Sequence, residues 1–114
     1  MNPTSNGSRF LAYDRALEAV RLVRPHIEQI RRASRSIADQ MVRAASSVVL
    51  NLSEGAQRRG ADRAHFYRMA AGSAAEVRAA LDAAEALGFV TQTEIAAAWD
   101  RFDQVCAMLR PLTR

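Results

Sequence analysis

The chain has 114 residues and a formal charge of +4, and all sixteen basic residues are arginine. That length supports one domain with one core and excludes two. No apolar run reaches the roughly 18 residues of a membrane span, the first eight residues lack a signal-peptide core, and the lone Cys106 excludes an intrachain disulfide, which together predict a cytoplasmic protein.

Five glycines and three prolines leave few helix breakers, alanine is abundant, and β-branched residues are sparse, so the composition predicts an all-α chain. Residues 1–8 read as a flexible tail and 9–114 as a single four-helix-bundle domain. Helix 1, about 9–32, has Ser8 as its expected N-cap and a stripe of Tyr13, Ala16, Leu17, Val20, Val23, Ile27 and Ile30. Pro25 falls inside it and predicts a kink, because the stripe keeps its phase across the proline.

Helix 2, about 37–55, begins at Ser36-Ile37-Ala38-Asp39, which resembles a capping box. Ile37, Met41, Ala45, Val48 and Leu52 form its stripe, and Val42 and Val49 widen it. An apolar face that wide predicts a central position or a subunit interface. Helix 3, about 63–87, takes Asp62 as its expected cap and Phe66, Met69, Ala70, Ser73, Val77, Ala80, Leu81 and Ala84 as its stripe. Gly72-Ser73 in mid-helix costs about 1 kcal/mol of propensity relative to alanine, which predicts a close approach by another backbone. Gly88 is the expected left-handed C-terminal cap. Helix 4, about 92–110, starts with a Thr91/Glu94 capping box and a Val90/Ile95 staple and ends at Pro111. Its stripe is Ile95, Ala98, Trp99, Phe102, Val105, Cys106 and Leu109. Short connections predict antiparallel neighbours in an up-down-up-down bundle.

That topology sorts the charge by end. Arg9, Arg58, Arg59, Arg63, Arg110 and Arg114 gather at the end of the helix 2–3 loop against Asp14, Glu54 and Asp62. At the other end Arg24, Arg31, Arg32 and Arg35 face Glu28, Asp39, Asp82, Glu85 and Glu94. One basic end predicts an anionic partner, most simply nucleic acid, contacted through Arg58, Arg59 and Arg63 with Arg9 and Arg110. The guanidinium fork suits phosphate. The same arginine and alanine excess also follows from a GC-rich genome, with the charges as a solvated surface. Few aromatics interleave with the basic residues, so phosphate or shape recognition is expected over base stacking.

Catalytic and metal patterns are missing. There is no Glu-x-x-His pair, His26, His65 and Cys106 lack ligand spacing, and no glycine-rich phosphate loop occurs, so no cofactor and no metal are expected. Arg59 and His65, or Arg58 and His65, match the arginine–histidine spacing of some helical ribonucleases, but Arg21 and His26 match it too, which marks the pattern as background. The expected protein is not an enzyme. A scaffold that recruits another protein is the alternative binding reading.

Asp39-Gln40-Met41-Val42-Arg43-Ala44-Ala45-Ser46-Ser47, Asn51-Leu52-Ser53-Glu54-Gly55, Arg58, Phe66, Gly72-Ser73 and Glu76 together resemble the small four-helix-bundle proteins encoded by intervening sequences in bacterial 23S ribosomal RNA genes. The resemblance covers roughly residues 11–110. It implies a homopentamer, and the similar accessory protein of diversity-generating retroelements is a basic pentamer held to bind nucleic acid. Asn51, Glu54, Gly55, Gly72, Ser73 and Glu76 are assigned to fold and assembly. The chain departs from the family pattern in Leu52-Ser53 before Glu54-Gly55, in a short arginine-rich turn between helices 1 and 2, and in its lack of lysine.

Overall fold

The computed structural model describes the backbone of residues 5–114 and the side chains from residue 11 onward. Four α-helices follow in order: α1 (Ser5–Ala33), α2 (Arg35–Ala56), α3 (Gly60–Ala86) and α4 (Gln92–Leu109), with a terminal 3-10 turn at Arg110–Thr113. No strand occurs among the described residues. α1 continues unbroken through Pro25, which is exposed. Ser8 lies within α1 and does not begin it, so the expected cap is displaced. Residues 1–4 of the expected tail, and the side chain of Arg9, lie outside the described residues.

Two further caps differ from expectation for local reasons. α1 runs to Ala33, leaving only Ser34 to reverse the chain, and Ser34 has the extended backbone of an N-cap (φ −152°, ψ 103°). Its hydroxyl accepts from the Ile37 N–H at 3.2 Å, so Ser36 and Asp39 do not cap α2. Asp39 instead holds Arg31 at 2.7 Å. α3 begins early because Gly60 takes a left-handed φ of 56°. Arg59 is therefore the N-cap, with no side-chain cap bond, and Asp62 falls inside the first turn.

The other ends form as their residues dictate. The Gly88 N–H reaches the Glu85 carbonyl and the Phe89 N–H the Ala84 carbonyl, with Gly88 at φ 82°, a complete Schellman closure. Thr91 and Glu94 form a reciprocal capping box, and Val90 and Ile95 are both buried beside it. The Thr91 backbone N–H, followed by its hydroxyl, holds the Glu94 carboxyl below the ordinary carboxylate range. A lowered folded-state pKa means this contribution to stability is present at neutral pH and is lost as pH falls through that value. Glu94→Gln should therefore show a shallower drop in melting temperature between neutral and acid pH than the parent, read by thermal denaturation.

One hydrophobic cluster joins the four helices, with Tyr67, Phe102, Ile30, Met41, Leu81 and Leu109 as its largest fully buried side chains. The α3 stripe is rotated from expectation in its first half: Tyr67 is 1% exposed, while Met69 is 37% exposed and Phe66 is half-buried. The cause lies on α2. A Cβ on Gly55 would stand 2.6 Å from Tyr67 Cε1, so the missing side chain makes the space the tyrosine ring fills. Gly72 is the opposite case. It is exposed, and a Cβ there would meet nothing within 4 Å, so the expected backbone approach is not made in the single chain.

Candidate nucleic-acid interface

The turn between α2 and α3 and the C-terminal 3-10 turn bring the basic residues together. α2 and α3 run antiparallel, as Gly55 against Tyr67 and Ser47 against Ser73 show. α4 runs antiparallel to α3, with Arg78 on Asp103, Cys106 on the Ala71 carbonyl, and Arg68 donating to the Thr113 carbonyl at 2.8 Å. The 3-10 turn packs on both α3 and α4, so Arg110 and Arg114 come to the end of the molecule where α3 begins.

The five arginines singled out from sequence are not equivalent. Arg58 is fully engaged: its guanidinium lies 3.5 Å from Glu54, 3.2 Å from Asp62, and 5.1 Å from the centre of the Phe66 ring. Two carboxylates neutralise it and an aromatic face occupies it, so it closes the α2–α3 turn. Arg59 is exposed with no ion pair among the described residues. Arg63 follows one turn later, half-buried, and its Nε is buried without a hydrogen-bond partner. Arg110 and Arg114 are exposed and unpaired among the described residues, while the Arg9 side chain lies outside them. The uncompensated set is therefore Arg59, Arg63, Arg110 and Arg114. His65 is exposed, touches Phe66 edge-on with ring centres 5.7 Å apart, and has no hydrogen bond to Arg59. Cys106 is half-buried, and burial raises its thiol pKa.

The motif residues assemble along the α2–α3 seam. The Asn51 amide donates to the Ser47 carbonyl at 2.9 Å and to the Ser47 hydroxyl at 2.8 Å, and the Ser73 hydroxyl donates to Ser47 Oγ at 2.9 Å. Ser47 is thus the hub that ties the Asn51 element to the Gly72-Ser73 element, a role its position on α2 did not single out. Above it, Glu76 lines a groove of about 310 Å³ with Gln40, Arg43, Ala44, Ser47 and Ser73. Glu54 is bound to Arg58 at the turn and takes no part in this groove. Ser47→Ala removes the acceptor shared by Asn51 and Ser73 and should lower stability by about 1 kcal/mol. The exposed Ser53→Ala should cost less than about 0.5 kcal/mol. Urea denaturation of the two variants separates these outcomes.

Among the described residues no group of three or more His, Cys, Asp or Glu side chains is placed to hold a metal ion. No helix is long and apolar enough to cross a membrane.

The described residues thus form four helices with a polar serine–asparagine seam and an arginine-bearing end. The model of the 23S rRNA-intervening sequence protein family matches residues 13–111, and the chain belongs to that family. It is also similar in fold to a protein of unknown function from the S23 ribosomal protein family of Bacteroides thetaiotaomicron, at 20% identity and a TM-score of 0.80, over 90% of this chain and 98% of that one. No curated protein matches the chain.

Proposed function

We propose that the protein is a non-enzymatic, homo-oligomeric RNA-binding bundle that works in the cytoplasm without a cofactor. In this reading its helices run up-down-up-down and the subunits assemble into a ring, a pentamer by family resemblance. The observation that carries the reading is the convergence of Arg59, Arg63, Arg110 and Arg114, none held by a carboxylate among the described residues, on one end of the chain. Uncompensated guanidinium groups at one end favour phosphate, and membership of a family named for a ribosomal RNA insert makes RNA the first ligand to test.

Exposed apolar side chains support self-assembly. Leu50 is 67% and Val42 is 41% exposed on α2, the helix whose apolar face is widest. A ring would place several basic ends side by side, so weak contacts from each subunit would add by avidity. The test is fluorescence anisotropy of a labelled structured RNA at two salt concentrations, alongside sedimentation of the protein alone. Binding that falls steeply with salt supports the RNA reading, because phosphate contacts release counterions. Salt-insensitive binding, or none, overturns it and leaves a protein-recruiting scaffold.

A further inference from the structure

The end-to-end sorting of charge conceals a second basic surface. Arg15, Arg31, Arg58, Arg78 and Arg101 each have a carboxylate partner. Arg21, Arg24 and Arg32 on α1, and Arg35 at the start of α2, are exposed and have no hydrogen bond or ion pair among the described residues. Positions 21, 24, 28 and 32 recur at the three- and four-residue spacing of one helix face. Glu28, the carboxylate in that row, is drawn toward Arg31 at 3.7 Å. Of the acids assigned with these arginines to one end, Asp39 is held by Arg31, and Asp82 and Glu85 line a groove between α3 and α4 together with Asp100 and Trp99.

Local stability does not explain the row. Arg32 in the last turn of α1 is favoured by the helix dipole, but Arg21 and Arg24 are in mid-helix. Arg35 is the first residue of α2, whose first turn contains no acid, and the dipole there disfavours a cation. From Arg21 to Arg32 the ridge extends about 17 Å at 1.5 Å per residue. That span is comparable with a few nucleotide steps along one strand of a duplex. The large exposed apolar side chains include no aromatic, so the ridge offers charge without a stacking platform.

We propose that Arg21, Arg24 and Arg32 on α1, with Arg35 at the start of α2, form a ridge that is a second contact surface for duplex RNA, gripping the phosphate backbone without reading sequence. It rests on the RNA reading above and adds a surface separate from Arg59, Arg63 and Arg110. Because these arginines are exposed and no aromatic is among the large exposed apolar side chains, their contacts go to phosphate, where position rather than sequence is set.

The test measures binding of a labelled RNA duplex to the full chain across a salt series. The ridge variant is Arg21→Gln/Arg24→Gln/Arg35→Gln, and the tip variant is Arg59→Gln/Arg63→Gln/Arg110→Gln. A control, Ala79→Glu/Ala83→Glu/Ala97→Glu, lowers net charge equally through exposed positions of α3 and α4. The ridge variant should reduce the slope of log K against log salt by about 2–3, since each lost duplex phosphate contact removes about 0.9. The control should keep the parent slope. A charge-preserving Arg21→Lys/Arg24→Lys/Arg35→Lys chain should keep most of the slope, which separates lost contacts from altered folding. If the ridge variant behaves as the parent or as the control, the ridge is not a contact surface. Loss in the ridge variant with none in the tip variant supports the ridge and overturns the tip. Loss in the tip variant alone does the reverse, and a parent that binds no duplex overturns both.

Discussion

Replacing Arg59, Arg63 and Arg110 with alanine is expected to lower affinity for structured RNA at least about tenfold at 0.1 M salt and to flatten the salt dependence by about 2–3, whereas Arg58→Ala changes the slope by less than about 0.5. The contrast follows from pairing. Arg58 is held by Glu54 and Asp62 and covers the Phe66 ring, so a phosphate would have to displace two carboxylates to use it. Arg59 and Arg110 are exposed without such competition, and Arg63 has an Nε donor already removed from water and unpaired. Arg58→Ala should instead lower stability by about 0.5–1 kcal/mol, the sum expected of exposed ion pairs and one cation–π contact. Anisotropy titrations and denaturation of the same two proteins give both answers. If the triple variant binds as the parent does, the arginines at this end reflect composition alone.

The second large effect is a pair of glycine substitutions with opposite signs. Gly55→Ala should destabilise the chain by about 1–3 kcal/mol, because its methyl would stand 2.6 Å from a Tyr67 ring that is 1% exposed and cannot swing into solvent. The gain in helix propensity, about 1 kcal/mol, reduces that loss without reversing it. Gly72→Ala meets nothing within 4 Å and should raise the stability of the isolated chain by up to about 1 kcal/mol. Thermal denaturation at low protein concentration measures both. A destabilising Gly72→Ala that appears only as concentration rises would place residue 72 in the subunit contact.

How much could be read beforehand differs between elements. The α4 start was legible to the residue, because a Thr91/Glu94 box and its Val90/Ile95 neighbours are local chemistry that depends on no other helix. The Gly88 closure was legible for the same reason. The starts of α2 and α3 were misplaced because each depends on where the preceding helix stops: α1 ends at Ala33 and leaves Ser34 as the cap, and Gly60 turns the chain before Asp62 can. Asn51 and Ser73 were recognised as motif residues, but their shared partner Ser47 required the register of two antiparallel helices. Arg58, Arg59 and Arg63 read alike as a basic run with Glu54 and Asp62 nearby, and the structure shows that both carboxylates, four residues to either side, pair with Arg58.

The sequence by itself determined an all-helical chain, the number and approximate extent of its helices, and the placement of arginine on the α2–α3 turn, because propensity, apolar periodicity and capping act within a few residues. Only the tertiary structure decided why Gly55 must lack a side chain when Gly72 need not, and that Tyr67 rather than Phe66 or Met69 fills the core. Those outcomes depend on contacts between helices, and a partial rotation of a helix about its own axis exchanges buried for exposed without altering any local preference.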